Sequence, residues 1–155
     1  MKRKIMMIGF LCGSLFMLAG CQFMMSDLTK VDLRIVAGGD LNPDDNGRPS
    51  PLVVRLLELK SIAGFENAEF FSLYHHEKET LGGDLISSEE LELKPGDVQD
   101  IKFALSPESK FIAVMGAYRQ LDKVSWRMVL PLRLKSKNDL TVLFGSQGVA
   151  TASGR

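Results

Sequence analysis

Residues 31–59 decide the fold and read VDLRIVAGGDLNPDDNGRPSPLVVRLLEL. The first five of them alternate apolar and polar side chains, the period-2 pattern of a strand with one buried face. Residues 52–59 are apolar enough to form a strand in the centre of a sheet. The polar segment 41–51 contains three prolines, and because proline lacks an N–H and fixes φ, the segment is neither helix nor central strand. These features predict two strands joined by a long, stiffened loop.

The strand pattern continues along the chain. Further segments that alternate, or are apolar throughout, lie at residues 101–105, 111–118, 126–134 and 140–144. Pro131 places the third of these at a sheet edge or a bulge, and Pro95-Gly96 predicts a type II turn. Seven or so short strands separated by turns are typical of an all-β sandwich, here over residues 31–145. The small and polar residues of the tail, 146–155, predict a flexible segment.

One segment departs from the strand pattern. Between Phe65 and Tyr74 apolar side chains recur at three- and four-residue spacings, which predicts a helix of two to three turns. Asn67 is expected to cap its start. The aromatic side chains expected to pack this helical insertion on the sheet are Phe65, Phe70, Phe71 and Tyr74.

Length and composition limit the classes of function. A chain of 155 residues suits one domain, and 45% hydrophobic with 25% charged residues are ordinary values for a globular protein. They exclude a disordered chain, a collagen-like chain and a multi-pass membrane protein. Nineteen Lys and Arg balance nineteen Asp and Glu, and this formal charge of zero argues against a basic nucleic-acid binder.

The first 21 residues have the features of a lipoprotein signal. A basic run at residues 2–4 precedes the uncharged segment 5–18, whose helical length of about 21 Å is short of the roughly 30 Å hydrocarbon core. The segment ends in the sequence LAGC at 18–21, which resembles the lipobox of bacterial lipoproteins. The alternative is an ordinary secretory signal followed by a chance cysteine.

Cleavage before Cys21 changes the net charge and the number of cysteines available in the mature chain. It defines a signal peptide at 1–20 and a lipidated cysteine with a tether at 21–30, and it leaves 16 basic against 19 acidic residues, a formal charge of −3. With Cys12 removed and Cys21 acylated, no cysteine remains for a disulfide. Several acyl chains anchor a protein durably, whereas one binds only marginally. By resemblance to Gram-negative lipoproteins, Gln22 after the cysteine implies the outer membrane, with the domain facing the periplasm.

The sequence offers little support for catalysis or metal binding. Residues 42–47 resemble the start of a calcium loop, but Val53 stands at the twelfth position where a bidentate Glu is required. His75 and His76 are adjacent, so they point to different faces and predict an exposed helix end. The sequence contains no G-x-S-x-G, P-loop or dinucleotide fingerprint. We therefore expect no enzyme, no cofactor and no metal.

Several blocks of sequence, taken in order, carry a family resemblance. They are LNPDDNGRPSPLVVRLLELK at 41–60, FENAEFFSLY at 65–74, the LKPG turn at 93–96 and AYRQLDKVSWR at 117–127. Together with the lipobox, they closely resemble the TssJ family of outer-membrane lipoproteins of the bacterial type VI secretion system. The resemblance implies a transthyretin-like β-sandwich with a short helical insertion and a protruding loop between the first two strands.

The resemblance also implies a function and a site. TssJ proteins are not enzymes; they bind the periplasmic C-terminal domain of TssM, which joins TssL in the inner membrane. The strand-connecting loop is implicated in that contact, and the matching residues are Asn42, Pro43, Asp44, Gly47, Arg48, Pro49, Ser50 and Pro51. Arg48 could instead be structural and pair with Asp44, and Gly47 could serve only a positive-φ position.

The block at 117–127 is expected to have a structural role, and one competing function is considered. The side chains expected to be architectural, with Trp126 filling the sandwich, are Tyr118, Arg119, Asp122, Trp126 and Arg127. The alternative function is a lipid-anchored module that binds carbohydrate or peptidoglycan. Such a site usually exposes aromatic side chains in a groove, whereas the one Trp and two Tyr lie in segments patterned as core.

Overall fold

The computed structural model describes residues 27–152, so the predicted signal peptide, Cys21 and most of the tether lie outside the described residues. The described chain forms eight strands: β1 Lys30–Ala37, β2 Leu52–Leu59, β3 Leu85–Leu93, β4 Val98–Ala104, β5 Phe111–Gly116, β6 Arg127–Leu130, β7 Lys137–Gly145 and β8 Gly148–Thr151. It also forms three short helices, α1 Ala63–Asn67, α2 Phe70–His75 and α3 Glu77–Leu81, and two single 3₁₀ turns, Gly82–Asp84 and Leu121–Lys123.

The strands form two four-stranded sheets, with orders β4-β1-β7-β8 and β3-β2-β5-β6. β1 and β7 run parallel from Lys30 beside Lys137 to Ala37 beside Phe144, and the other neighbouring strands are antiparallel. The inner faces of both sheets form one core. This architecture confirms the predicted all-β sandwich with its helical insertion and its loop between the first two strands.

The alternation read from the sequence places the core. Val31, Leu33 and Ile35 of β1 are at most 1% exposed, while the residues between them face outward. β2 is apolar on both faces because the helices cover its outer side, where Leu57 and Leu59 pack with Phe65 and other helical side chains. The central position predicted for β2 is therefore confirmed.

The prediction of one helix over residues 65–74 is wrong, because Ala68 and Glu69 are extended and separate α1 from α2. Asn67 ends α1, where its Nδ2 donates to the carbonyl of Ala63 (2.8 Å), so it caps no helix start. The break is satisfied from the sheet, since the guanidinium of Arg127 donates to the carbonyls of Phe65 (2.8 Å) and Ala68 (2.7 Å).

The aromatic face is also smaller than predicted. Phe65 and Phe70 are buried, but Phe71 is 63% exposed, because neighbouring residues on a helix lie about 100° apart and only one of them can face the sheet. Trp126 packs against the edge of the sandwich core and also against the helical cluster, so it fills the sandwich only in part. It is half-buried on the helical side, with its ring edge-on to Phe70 at 5.2 Å between centroids.

Two strands, β3 and β8, were not predicted from the sequence, whereas the edge position of β6 was. The tail predicted to be flexible from residue 146 forms β8, which pairs with β7 and buries Val149 to 3% exposure. β3 has a polar, largely exposed surface because it lies at a sheet edge. β6 lies at the other edge of that sheet, as Pro131 predicts, but it ends at Leu130, so the strand predicted over residues 126–134 is shorter than expected. The predicted turn is present, with Gly96 at φ 86° and Asp97 N–H donating to the carbonyl of Lys94 (3.0 Å).

The sandwich has two ends with different connections. Residues 38–51, 94–97 and 117–126 connect strands at the end where β1 finishes, which we call the loop end. Residues 60–84, 105–110 and 131–136 connect strands at the end where the chain enters β1, which we call the tether end. Among residues 27–152, no helix has the length and hydropathy needed to cross a membrane.

Candidate protein-binding loop

The β1–β2 loop, residues 38–51, is fastened to the sandwich at its neck. Gly38 N–H donates to the carbonyl of Phe144 (2.7 Å), which attaches the first loop residue to β7. Leu41 is fully buried in the core, and its carbonyl accepts the N–H of Ser50 (2.9 Å). The two arms of the loop are therefore joined to each other and to the core at their base.

Asn42 holds this neck together. It is 4% exposed and has φ 45°, a left-handed conformation that Asn tolerates better than most residues. Its Nδ2 donates to the carbonyl of Pro51 (2.9 Å), and its Oδ1 accepts the backbone N–H of Arg119 (2.9 Å). One buried side chain thus links both arms of the loop to the segment that follows β5.

A second set of hydrogen bonds shapes the loop tip around Asp44. Its Oδ1 accepts the N–H groups of Asn46 and Arg48 (2.9 Å each), and its Oδ2 accepts Nε and Nη2 of Arg48 (2.7 Å each). Gly47 N–H donates to the carbonyl of Asp44 (2.9 Å), and Asp44 N–H donates to that of Arg48 (2.9 Å). The Arg48 backbone and side-chain donors lower the pKa of Asp44.

Gly47 completes the tip for a conformational reason. Its φ of 75° is unfavourable for residues with a side chain, and no atom lies within 4 Å of where its Cβ would be. Backbone geometry alone therefore accounts for the glycine. Asp at the first position and Gly at the fourth are the preferred residues of a type I turn.

The loop also contacts its neighbours at the loop end. Asp40 accepts the hydroxyl of Ser146 (2.5 Å), a bond that lowers the pKa of Asp40. Gln120 Nε2 donates to Oδ1 of Asp45 (3.2 Å). Tyr118 is 5% exposed beneath this region, and burial, with the nearby charge of Asp40 as second cause, raises the pKa of its phenol.

The structure divides the eight predicted loop residues into two roles. Asn42 is buried and Asp44 retains 20% side-chain exposure, so these two act inside the loop. Gly47 and Arg48 have the structural roles left open by the sequence, but the Arg48 side chain is also 75% exposed. Loop residues that present surface to solvent are Asp45, Asn46, Gly47, Arg48, Pro49 and Pro51, with Pro43 and Ser50 half-buried.

The sequence did not single out Asp45, Asn46 or Gln120 as site residues, and it indicated Arg119 only as an architectural residue. Asp45 and Asn46 form part of the exposed tip, and Arg119 and Gln120 support the loop from 77 and 75 positions along the chain. Arg119 lies in the AYR block, which was the available signal, but its contribution is a backbone N–H that no pattern of side chains reveals.

The arrangement suits recognition better than chemistry. The carboxylates of Asp40 and Asp44 are engaged by internal donors, which leaves them as poor proton acceptors or metal ligands. Across residues 27–152, no group of three His, Cys, Asp or Glu side chains is placed to hold a metal ion. What the loop offers is a fixed surface of one guanidinium, two exposed prolines and short polar groups.

The fold and this loop define a class of protein, a small β-sandwich that presents one rigid loop at its end. The family model described as Type VI secretion lipoprotein (VasD, EvfM, TssJ) matches residues 29–147. The chain therefore belongs to this family, which is a family of secretion lipoproteins and not of enzymes.

Solved structures agree with the family. The chain is similar to the T6SS lipoprotein TssJ1 from Pseudomonas aeruginosa, with 33% identity and a TM-score of 0.80, over 83% of this chain and 98% of that one. It is similar to Serratia marcescens Lip, a membrane-bound component of the type VI secretion system, with 26% identity and a TM-score of 0.76, over 82% and 99% of the two chains. A chain of a type VI membrane complex matches with 26% identity and a TM-score of 0.71, over 79% and 97%. No curated protein matches the chain.

Proposed function

We propose that this lipoprotein is anchored by acylated Cys21 in the outer membrane, faces the periplasm, and binds the periplasmic C-terminal domain of TssM through the β1–β2 loop. In this role it tethers the TssJ-TssL-TssM membrane complex to the outer membrane. The resemblance of the loop sequence to the TssJ family supports the choice of partner. The likeness to a chain of a type VI membrane complex supports the assignment to such an assembly.

The placement of the loop is the observation that carries this proposal. β1 enters the sandwich at Lys30 and leaves it at Ala37, a distance of about 23 Å for a strand of this length. An anchor attached before Lys30 and a loop that starts after Ala37 therefore lie at opposite ends of the domain. A partner bound at the loop end does not compete with the membrane for space.

The rigidity of the loop supports binding as its task. Asn42 closes the neck and Asp44 shapes the tip, so the conformation is set before any partner arrives. A surface that is already ordered loses less conformational entropy on binding and so binds more tightly for the same contacts. Because its charged groups are engaged internally, we also infer that the protein has no catalytic role.

The surface of the tip indicates what the partner must provide. Arg48 is held against Asp44 and still presents most of its guanidinium to solvent, so the TssM surface should offer a carbonyl or carboxylate acceptor to it. Pro49 and Pro51 are exposed beside it and should meet apolar or aromatic side chains. Arginine is among the residues that most often dominate interface energies.

The test replaces the exposed tip and keeps the neck. Removal of residues 41–50 would delete buried Leu41 and Asn42, so the sharper variant replaces residues 45–49 with a Gly-Ser segment of equal length. We expect the affinity for the isolated TssM C-terminal domain, measured by calorimetry, to fall by about 30-fold or more. The far-ultraviolet circular dichroism should not change.

A pair of single variants provides the matched control. Arg48→Ala removes the exposed cation of the tip, whereas Arg34→Ala removes a similarly exposed arginine on the β1 face, where it pairs with Asp100. Binding should weaken only in Arg48→Ala. Wild-type affinity in the tip replacement would refute the loop as the binding site.

Two further measurements test the acyl anchor and the competing carbohydrate-binding function. Cys21→Ser should no longer fractionate with outer membranes, and its retention there would contradict the acyl anchor. A pull-down on purified peptidoglycan should give no specific retention, whereas strong retention would favour the carbohydrate-binding alternative.

A further inference from the structure

The β6–β7 turn, residues 131–136, lies beside the point where the tether joins the fold. Lys135 N–H donates to Oγ1 of Thr29 (2.8 Å), and Lys30 N–H donates to the carbonyl of Ser136 (3.0 Å). The turn is therefore bonded directly to the first residues of the described chain. Its sequence, PLRLKS, alternates apolar with basic side chains.

A buried asparagine fixes the shape of this turn. Asn138 is 4% exposed, and its Oδ1 accepts the N–H of Arg133 (2.7 Å). Its Nδ2 donates to the carbonyls of Arg133 (2.9 Å) and Ser136 (3.2 Å). Lys135 adopts φ 55°, a left-handed backbone conformation within the turn.

The fixed turn exposes a leucine between cations. Leu134 is 48% exposed, and Leu28 on the tether side is 40% exposed. Arg133, Lys135 and Lys30 are exposed around them, and none of these three forms an ion pair with another residue of the described part of the chain. A single exposed leucine is ordinary on a protein surface. An exposed leucine surrounded by three cations without carboxylate partners combines an apolar side chain with positive charge.

The lysines on the neighbouring sheet, unlike these three cations, form ion pairs. Lys102 and Lys137 both pair with Asp32, at 3.4 and 3.1 Å, and Lys137 also pairs with Asp139 at 2.9 Å. These charges neutralise each other on the outer face of β1, β4 and β7. Of the cations at residues 30, 102, 133, 135 and 137, only Lys30, Arg133 and Lys135 are thus left without a carboxylate partner in the described part of the chain.

The length of the tether brings this surface near the bilayer. Thr29 follows Cys21 by eight positions, and a fully extended chain over those eight steps spans at most about 28 Å. If Cys21 carries acyl chains in the membrane, as in the proposed function, the tether end cannot lie far from the lipid headgroups. With the tether end facing the membrane, the loop end lies about one strand length, roughly 23 Å, farther from it.

We propose that the β6–β7 turn is a second membrane contact, which seats the tether end on an anionic phospholipid surface. Leu134 enters the headgroup region, and Arg133, Lys135 and Lys30 contact lipid phosphates. Basic residues near a membrane surface each add attraction to anionic lipid, and interfacial apolar side chains add to it. The acyl chains hold the protein, and the turn orients it so that the β1–β2 loop points away from the membrane.

The test places a fluorescent reporter on the turn. In the mature chain Cys21 is acylated and Cys12 is absent, so Leu134→Cys supplies the one thiol for an environment-sensitive label. The lipidated protein is reconstituted in vesicles of phosphatidylethanolamine and phosphatidylglycerol. We expect a blue-shifted emission that nitroxide-bearing lipids quench at least about twofold more than in the control, as contact with the interface requires.

The control label is Leu143→Cys, an exposed leucine of β7 near the loop end (38% exposed). Its emission should stay that of water. Equal quenching at both positions, or a blue shift at 134 without quenching by the lipid nitroxide, as a second protein copy would give, overturns the inference. A chain that fails to float with the vesicles overturns the acyl anchor, and this inference with it; a floating chain with a water-exposed label overturns only the inference.

A charge variant tests the lipid specificity. The triple substitution Lys30→Gln, Arg133→Gln and Lys135→Gln should reduce the quenching at position 134 to the level of the Leu143 control. The matched triple Lys94→Gln, Arg119→Gln and Lys123→Gln removes the same charges from the loop end and should leave it unchanged. Equal effects of the two triples would show that only net charge matters and would overturn the assignment to this turn.

Discussion

At both ends of the sandwich a buried asparagine fixes an irregular segment, but the two segments expose different side chains. At each end a buried asparagine, Asn42 or Asn138, is 4% exposed and fixes an irregular segment by hydrogen bonds to backbone groups. The loop end then presents Arg48 and prolines, and the tether end presents Leu134 between cations. The scaffold is similar, and the exposed side chains distinguish the proposed protein-binding surface from the proposed membrane-facing one.

The two asparagines differ in the reach of their bonds. Asn42 joins groups as far apart in sequence as Pro51 and Arg119, so the loop depends on the assembled fold. Asn138 bonds mainly within five residues, at Arg133 and Ser136, with a longer bond to the carbonyl of Lys30 (3.3 Å). The loop end is therefore the more sensitive to changes elsewhere in the protein.

The largest expected effect comes from Asn42→Ala. It leaves the part-buried N–H of Arg119 and carbonyl of Pro51 without their partner, and each such group costs about 1–3 kcal/mol where it is shielded from water. We expect the free energy of unfolding, measured in urea, to fall by about 3 kcal/mol, and the TssM affinity to fall about tenfold or more because the loop loses its fixed shape.

Asn138→Ala is the counterpart that sharpens the comparison. It should destabilise the fold by a similar amount, about 3 kcal/mol, for the same reason. Its affinity for the TssM domain at a temperature where it remains folded should equal that of the wild type. Equal losses of affinity in the two variants would show that binding follows global stability and not loop shape.

Substitutions at the positive-φ residues of the two ends should change stability by smaller amounts, and with opposite signs at the two ends. Gly47→Ala places a side chain at φ 75° and should destabilise the protein by about 1 kcal/mol through backbone strain. Lys135 already has that strain at φ 55°, so Lys135→Gly should be neutral or stabilise by about 0.5 kcal/mol. Thermal unfolding of both variants checks the signs, and a stabilised Gly47→Ala would contradict the tip geometry.

Asp44→Asn should have the smallest effect at neutral pH. An asparagine Oδ1 can still accept the N–H groups of Asn46 and Arg48, and only the exposed ion pair with Arg48 is lost. Because the pKa of Asp44 is lowered in the fold, its stabilising contribution is present above its unfolded pKa of about 3.9 and disappears as pH falls through the folded value.

The measurement is the difference in melting temperature between wild type and Asp44→Asn from pH 7 to pH 3. We expect a constant difference above about pH 4 that shrinks below it. Asp32→Asn provides the comparison at the tether end, since the pKa of Asp32 is lowered first by Lys137 and also by Lys102. Salt should reduce both differences, because both involve exposed ion pairs. A difference that grows toward low pH would contradict the lowered pKa of Asp44.

Much of this organisation was visible in the sequence. The alternation of β1, the apolar run of β2 and the prolines between them predicted the two strands and the stiffened loop. β3 and β8 were missed because an edge strand needs no strong apolar pattern and β8 has four residues. The break between α1 and α2 was missed because it depends on Arg127, which arrives from β6.

The site was less predictable than the fold. The sequence indicated which loop to examine and left Arg48 and Gly47 between structural and binding roles. It could not separate Asn42, a buried link, from exposed Pro49, because the difference rests on a hydrogen bond to Arg119, 77 positions away. Long-range backbone contacts of this kind have no local signature in the sequence.

One measurement tests the division between the two ends most directly. Amide hydrogen exchange of the lipidated protein is followed in vesicles and in detergent, each with and without the TssM C-terminal domain. The TssM domain should protect residues 43–49 and leave 131–137 unchanged, and the vesicles should do the reverse. Protection of residues 131–137 by TssM, or of 43–49 by the vesicles, would contradict the assignment of the two ends.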